Sequence, residues 1–448
     1  MIMHVTSMNG MKKDLHDFIL RDRNHPSIFM WSIGNEVLEQ WSDAQADTLS
    51  LEEANLILNF GHSADMLAKE GEESVNSLLT KKLADFVRTL DPTRPITAGC
   101  NEPNPANHLF RSGALDIIGY NYHNVNSPEV PKNFPGKPFI ITESNSALMT
   151  RGYYRMPSDQ MFIWPERWDK PFYDSTFACS SYENCHVPWG NTHEESLLLI
   201  KKNDFISGQY VWTGFDYIGE PTPYGWPARS SYFGIVDLAG FPKDVYYLYQ
   251  SEWTDKQVLH LFPHWNWTEG QDVDMWCYYN QADEVELFVN GKSQGIKSKD
   301  DNHLHVFWRV KYEPGSVKVV ARKAGTVVAE KEIRTAGTPS MIRLTPDRNI
   351  LKANGTDLSF VTVEILDAEG NICPLADNQV RFEVEGNLFI AGVDNGNQTS
   401  MERFKDNKRK AFNGKCLVVL QNNGKTGAAR LKAISEGLKE AVVDIVSE

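Results

Sequence analysis

The sequence predicts a multidomain α/β plus all-β chain, in which a parallel barrel of the (β/α)8 TIM type is followed by two immunoglobulin-like β-sandwiches. Two observations lead to this fold class. Up to about residue 250, amphipathic helices alternate with short apolar strands, which is the pattern of parallel βα units. Beyond Trp253, apolar and polar residues alternate with a period of two, which is typical of half-buried strands in antiparallel sheets.

The elements of the first part follow from apolar periodicity and from the residues that interrupt it. Predicted helices are Lys12–Arg21, Ser74–Leu90 and Glu194–Lys202. Predicted strands are Ile28–Trp31, Ile96–Ala98, Asp116–Tyr122, Phe139–Thr142 and Gly208–Trp212. Strands separated by helices or long loops in this way predict one parallel sheet.

The second part of the chain predicts antiparallel sheets. Val285–Val289 runs into Asn290-Gly291, a dipeptide that favours a tight β-hairpin turn. The junction Gly337-Thr338-Pro339 separates one run of strands from the next. We therefore predict a barrel domain at residues 1–253, a first immunoglobulin-like sandwich at 254–337 and a second at 338–448.

Composition limits the classes of partner. The 448-residue chain has a net charge of −14, which disfavours nucleic acids and anionic membranes because both need a basic surface. No apolar run approaches the roughly 20 residues of a membrane helix. The first residues lack the basic and apolar regions of a signal peptide, and localisation is left open. Six cysteines are scattered too widely for a disulfide scaffold or zinc ribbon; Cys179 and Cys185 either bridge a loop or stay thiols.

Two glutamates stand at the ends of apolar strand patterns. Glu36 follows Ile28–Trp31 closely, and Glu143 follows Phe139–Thr142 directly. A carboxylate at the end of a buried strand is unfavourable unless it is partnered or used, so the alternative is a buried ion pair. The carboxyl ends of parallel barrel strands share one pocket, and two carboxylates in one pocket are what a glycosidase needs.

With these residues in view, the chain resembles glycoside hydrolase family 2, the family of β-galactosidases, β-glucuronidases and β-mannosidases. The stretch from Asp22 to Glu36 is similar to the acid/base signature of that family without gaps. Ile140–Glu143 resembles its nucleophile strand, and Asp116–Tyr122 resembles the strand that carries a tyrosine beside the nucleophile. Trp212–Pro221 and Ser230–Gly234 look most like the bacterial β-galactosidase branch.

The resemblance implies a retaining β-glycoside hydrolase that acts on a carbohydrate by double displacement and needs no metal or other cofactor. It implies Glu143 as nucleophile and Glu36 as acid/base. Substrate-binding roles fall to three other residues. Asn35 is expected to bind the sugar 2-OH, Tyr122 to donate to Glu143, and Trp212 to form the apolar floor. Asn121 and His123 are expected near the pocket without an assigned role. Asp216 and Glu220 are expected at the pocket rim, with helix capping or loop packing as the alternative.

Two questions stay open in the sequence. The Asn-x-Lys pair expected of glucuronidases is not visible between Trp212 and Trp253, so a neutral sugar, galactose, is favoured over the β-glucuronidase and β-mannosidase alternatives. About 27 residues precede Ile28, whereas the family places two sandwich domains and three barrel strands there. The resemblance thus implies a C-terminal portion holding barrel strands four to eight. A non-catalytic truncated fragment, or one half of a complementing pair, is the alternative, and a homo-oligomer is left open.

Overall fold

A computed structural model of the chain describes residues 8–37, 75–166 and 172–448. The chain divides into two compact units, and each is described by itself. The first unit comprises residues 1–146, 165–171 and 186–212, and the second comprises 147–164, 172–185 and 213–448. Among the helices of the described ranges, none has the length and apolar character needed to cross a membrane.

The α-helices in chain order are α1 Met8–Asp22, α2 Val75–Leu90, α3 His108–Arg111, α4 Val130–Asn133, α5 His193–Lys202 and α6 Asp244–Trp253, with a 3₁₀ turn at Ser127–Glu129. Strands up to residue 212 are β1 Trp31–Asn35, β2 Ile96–Gly99, β3 Ile118–Asn121, β4 Phe139–Asn145, β5 Phe162–Ile163, β6 Cys185–His186 and β7 Ile206–Trp212. The predicted helices and strands of this part are therefore present, with shifted ends.

The first unit is built on parallel strands in the order β1-β2-β3-β4-β7. β1 pairs with β2, and β3 pairs with β4 and β4 with β7, all in parallel. A parallel bridge between Cys100 and Tyr120 joins the two groups of strands. Parallel strands connected through helices are the building plan of a TIM barrel, so the predicted fold class of this part is confirmed.

Two helices cover the outer face of the first strands. Leu15 and Ile19 of α1 and Val87 of α2 are buried in one apolar cluster with the strand residues Trp31 and Ile96. α5 begins at a capping box in which Thr192 and Glu195 satisfy each other's backbone N–H groups. The polar residues considered below lie at the carboxyl ends of the strands.

The prediction of a buried strand at Ile28–Trp31 was wrong in its bounds. The strand runs from Trp31 to Asn35, and Phe29 is 57% exposed. The partner strand explains the difference, because pairing starts where Trp31 N–H donates to the Pro95 carbonyl. Proline has no N–H to donate, so the ladder does not extend before this point.

The second unit contains two sandwiches. The first is formed by β8 Leu259–Phe262, β9 Asp272–Tyr279, β10 Glu284–Val289, β11 Lys292–Lys297, β12 Val306–Lys311, β13 Ser316–Lys323 and β14 Thr326–Arg334. Its sheets have the orders β12-β9-β8 and β11-β10-β13-β14. The predicted hairpin is confirmed, since Asn290 and Gly291 join β10 to β11 and both have positive φ.

The second sandwich is formed by β15 Met341–Pro346, β16 Ile350–Leu351, β17 Leu358–Leu366, β18 Gln379–Gly386, β19 Leu388–Asp394, β20 Lys408–Lys410, β21 Lys415–Asn422, β22 Gly427–Ile434 and β23 Ala441–Ser447. Its sheets have the orders β15-β17-β21-β19 and β16-β23-β22-β18-β20. Alternate side chains of both sheets meet in one apolar core that includes Val363, Phe382 and Leu431. All six cysteines of the chain are free and buried, so Cys179 and Cys185 are thiols.

Candidate active site

Four of the residues proposed from the sequence, Asn35, Glu36, Tyr122 and Glu143, lie towards the carboxyl ends of β1, β3 and β4. Asn35 is the last residue of β1 and pairs in register with Gly99, and Glu36 follows it. Asn121 is the last residue of β3 and pairs with Glu143 of β4. Parallel register places all these strand ends on the same edge of the sheet, as a barrel requires for a shared pocket.

Asn121 connects the two residues at the end of β1. Its Nδ2 group donates to Oδ1 of Asn35 and to Oε1 of Glu36, each at 3.0 Å. Its Oδ1 atom accepts a hydrogen bond of 2.7 Å from the hydroxyl of Thr142. Asn121 is therefore held by β4 on one side and holds the Asn35–Glu36 pair on the other.

Tyr122 connects β3 to the second carboxylate. Its hydroxyl donates to Oε2 of Glu143 at 2.9 Å, and its backbone N–H donates to the Glu143 carbonyl at 2.6 Å. Burial raises the pKa of the Tyr122 phenol well above its ordinary value, and the charges of Glu143 and Glu36 raise it further. Both carboxylates thus act on the same phenol, which stays protonated and donates.

The backbone at these strand ends is unusual. Glu36, Tyr122, His123, Asn145 and Ser146 all have positive φ values between 48° and 79°. This left-handed region is uncommon for residues other than glycine, and each such residue is held there by its surroundings. The strand ends are therefore fixed in conformations that direct Glu36 and Tyr122 towards their partners, as the hydrogen bonds show.

Trp212, the last residue of β7, pairs in register with Asn145, and its carbonyl accepts the Ser146 N–H. Register therefore places Trp212 at the same edge as Glu143. Beside the cluster, burial lowers the pKa of His123, whose Nε2 contacts the Asn101 carbonyl. The imidazole is consequently held neutral near physiological pH.

Three residues of this cluster carried no predicted role: Asn121, Thr142 and Gly99. Asn121 and Thr142 stand inside apolar strand patterns, where a polar side chain needs a partner, and this was the signal that could have marked them. Asp216, in contrast, is not a rim residue. It is fully buried within the second unit and pairs with the equally buried Lys243. Over the described ranges, no three His, Cys, Asp or Glu side chains are placed to hold a metal ion.

A parallel barrel-type sheet with two glutamates on its carboxyl edge is the architecture of TIM-barrel glycoside hydrolases. Comparison with known families agrees. Residues 6–218 match the model of the glycosyl hydrolases family 2 TIM barrel domain. Residues 342–444 match glycoside hydrolase family 2 C-terminal domain 5, and residues 270–329 match a domain of unknown function, DUF4982.

The chain belongs to glycoside hydrolase family 2. It is 82% identical over 437 residues to beta-galactosidase BoGH2A of Bacteroides ovatus, covering 98% of this chain and 51% of that protein. A beta-glucuronidase of Formosa agariphila is 24% identical, covering 97% of this chain and 39% of the relative. Among solved structures, a beta-glycosidase from Bacteroides vulgatus matches with a TM-score of 0.79 and 32% identity, covering 97% of this chain and 53% of that one. The chain thus spans about half the length of these relatives or less.

Proposed function

We propose that this chain carries the active site of a retaining β-galactosidase, with Glu143 as nucleophile and Glu36 as acid/base. The observation that supports it most is the placement of both carboxylates on one edge of a parallel sheet, each held by a residue at the end of β3. Retaining glycosidases use two carboxyl groups that flank the scissile bond at roughly 5 to 5.5 Å from each other.

In the first step of this proposal, a Glu143 oxygen attacks the anomeric carbon while the bond to the leaving oxygen breaks. The protonated Glu36 carboxyl gives its proton to that oxygen, and a glycosyl ester on Glu143 remains. In the second step, the Glu36 carboxylate takes a proton from water, and the water oxygen attacks the anomeric carbon and displaces Glu143. Two inversions give net retention.

Three further residues have supporting roles in the proposal. The Tyr122 hydroxyl donates to Glu143 and thereby orients it and stabilises its ionised form. Asn35 uses its amide to bind the sugar 2-OH, a contact that strengthens in the transition state. Trp212, at the end of β7, offers an aromatic surface to the apolar C–H face of the sugar.

Galactose is the proposed sugar for two reasons. The Bacteroides ovatus relative at 82% identity is named a beta-galactosidase. In addition, no Asn-x-Lys pair that could bind a sugar carboxylate stands between Trp212 and Trp253, the part of the proposed barrel that follows Trp212. β-Glucuronidase activity is the second candidate, because more distant relatives carry that name.

The domain organisation is part of the same proposal. We assign the catalytic barrel portion to residues 1–253 and the two sandwiches to 254–337 and 338–448. The separate apolar cores of the two sandwiches support the last boundary. The matches at 270–329 and 342–444 fall inside the two sandwich ranges.

The test is a panel of nitrophenyl glycosides on the purified chain, followed by proton NMR of the first sugar released. Turnover of the β-galactoside with β-galactose formed first is expected. First formation of the α-anomer would contradict retention, and faster turnover of the β-glucuronide would replace the proposed sugar. An independent test uses 2-deoxy-2-fluoro-β-galactosyl fluoride, which is expected to leave a glycosyl group on Glu143, detected by peptide mass spectrometry. No turnover and no labelling would favour a non-catalytic chain.

A further inference from the structure

Asn121 is the residue that joins the hydrogen-bonded cluster of Asn35, Glu36 and Thr142. Its side chain is fully buried and uses both ends of its amide. The nitrogen donates to Asn35 Oδ1 and Glu36 Oε1, and the oxygen accepts from Thr142. Since the two protons of an amide nitrogen allow two donated hydrogen bonds, the donor capacity of Asn121 is completely used.

The orientation of this amide is determined by its partners. Glu36 Oε1 and Asn35 Oδ1 are both acceptors, so only the nitrogen of Asn121 satisfies them. The Thr142 hydroxyl then supplies the donor that the Asn121 oxygen needs. A rotated amide would set its oxygen against two other oxygens, which is unfavourable in a buried site.

A glycine makes the cluster sterically possible. β2 lies between β1 and β3, so Asn35 and Asn121 must reach across an intervening strand. That strand has Gly99 at the crossing point. A Cβ at residue 99 would lie 2.6 Å from Asn35 Oδ1 and 2.8 Å from Asn121 Oδ1, closer than atoms pack. The missing side chain is therefore what allows the two amides to meet.

These contacts constrain Glu36 in a way that matters for proton transfer. One carboxyl oxygen, Oε1, accepts from Asn121, which in the proposed mechanism leaves the other oxygen to carry the proton towards the leaving group. The hydrogen bond also restrains rotation of the carboxyl group. Acid/base catalysis is sensitive to such placement, because a misplacement near 1 Å lowers a rate by on the order of a hundredfold.

We propose that Asn121, anchored by Thr142 and accommodated by Gly99, is the positioning residue for the Glu36 carboxyl. This inference rests on the proposed function, in which Glu36 protonates the leaving oxygen. It assigns Asn121 to the protonation step, whereas Tyr122 serves the nucleophile. The loss of Asn121 should therefore affect substrates in proportion to their need for a proton.

The experiment compares kcat/KM for two galactosides, of which 2,4-dinitrophenyl β-galactoside needs little protonation and an alkyl β-galactoside needs full protonation. The readout is kcat/KM for the alkyl galactoside divided by kcat/KM for the dinitrophenyl galactoside. This ratio is measured in Asn121→Leu and Gly99→Ala and compared with that of the wild type. We expect the ratio to fall by on the order of 10- to 100-fold, part of the 10²- to 10⁴-fold that acid/base catalysis supplies. A general disturbance of the fold would lower both values and leave the ratio unchanged.

The other variants isolate the anchor. Thr142→Val removes the donor to Asn121 and should lower the ratio, whereas Thr142→Ser keeps the hydroxyl and should restore it. Gly225→Ala is the control for Gly99→Ala, because a Cβ at residue 225 meets open space. Its ratio should equal that of the wild type.

The outcomes separate this inference from the proposed function. An active wild-type chain whose ratio is unchanged in Asn121→Leu and Gly99→Ala would overturn the positioning role alone. Equal ratios in Thr142→Val and Thr142→Ser would overturn the anchor. A wild-type chain that hydrolyses neither galactoside would contradict the proposed function, and the inference would fall with it.

Discussion

The Tyr122 hydroxyl lies 2.9 Å from Oε2 of Glu143 and donates a hydrogen bond to it. The pKa of the phenol is raised by burial and by the two neighbouring carboxylates, so Tyr122 keeps its proton throughout the usual working range of pH. It therefore favours the ionised form of Glu143. In the proposed mechanism Glu143 is the nucleophile, which must be ionised and oriented before it can attack, and this contact would serve both needs.

Tyr122→Phe should lower kcat/KM without unfolding the chain. A hydrogen bond to a charged group is worth about 1.5–3 kcal/mol, which corresponds to a loss of on the order of 10- to 100-fold. Because the proposed nucleophile acts on every substrate, the loss should be similar for activated and unactivated galactosides. Tyr173→Phe is the control, since Tyr173 is 74% exposed. Equal activity of Tyr122→Phe and wild type would contradict a role for this contact.

Replacing the two glutamates should have different consequences. Glu143→Gln removes the proposed nucleophile, so every galactoside should be slowed by several orders of magnitude. Glu36→Gln removes the proposed proton donor, so the first step should be preserved for dinitrophenyl galactosides, which need little protonation. Added azide should then accelerate Glu36→Gln and give a β-galactosyl azide, detectable by NMR. If Glu36→Gln lowered the rates for activated and unactivated galactosides equally, the assignment of Glu36 as the acid/base residue would be wrong.

The cluster at the strand ends was predictable where the signal was local in sequence. Asn35-Glu36 and Glu143 stand in motifs that could be recognised directly, and register brings their strand ends to one edge. The role of Asn121 was not predictable in this way. It depends on a donor from Thr142 on one neighbouring strand and on the absence of a side chain at Gly99 on the other. Such a relationship arises only when three strands are aligned.

Two other differences have the same kind of cause. The apolar run before Trp31 predicted a strand three residues too early, because strand bounds depend on the partner strand, here interrupted at Pro95. Asp216 was expected at the pocket rim, with helix capping or loop packing as the alternative, and the rim expectation is wrong because the residue is buried. Its burial is compensated by Lys243, a residue 27 positions later in the chain. No local pattern shows such a pairing.

Removing Lys243 should destabilise the second unit strongly. Its ammonium group donates to Asp216 and to the carbonyls of Met149 and Tyr232, with both charged side chains fully buried. Lys243→Met leaves a buried carboxyl without its cation, which typically costs about 3–5 kcal/mol. The double variant Asp216→Asn/Lys243→Met should recover part of this loss. Urea unfolding midpoints test it, and a single variant as stable as wild type would contradict it.

The same variant should show a characteristic dependence on pH. Burial raises the pKa of Asp216 to about 7 even with Lys243 present, and loss of the cation would raise it further. A carboxyl whose pKa is higher in the folded state than in the unfolded state favours folding at low pH and loses that contribution as pH rises. Lys243→Met should therefore be closer to wild type at pH 5 than at pH 8. A larger deficit at pH 5 would contradict this account.

Stability of the first sandwich should decrease in acid because of His264. Burial lowers the pKa of its imidazole to about 4, and its Nδ1 accepts the backbone N–H of Asn266, which requires an unprotonated nitrogen. The ring also stacks on Trp267 with 4.5 Å between centroids. Since the folded-state pKa lies below the usual value near 6.5, the unfolded chain binds more protons between these two values. The contribution of the unprotonated His264 to the unfolding free energy is therefore complete above pH 6.5 and is lost as pH falls towards 4.

His264→Phe keeps an aromatic ring against Trp267 and removes the titration. Its urea midpoint should be lower than that of wild type at pH 7, because the Asn266 N–H loses its acceptor. Between pH 6.5 and 4, however, the unfolding free energy of the variant should decrease less than that of wild type, the difference reaching up to about 3 kcal/mol. Val319→Ala is the control, because it removes buried core volume without a titratable group and should run parallel to wild type. If the unfolding free energies of His264→Phe and wild type ran parallel over this pH range, His264 would have the same pKa in the folded and unfolded states, and this account would be wrong.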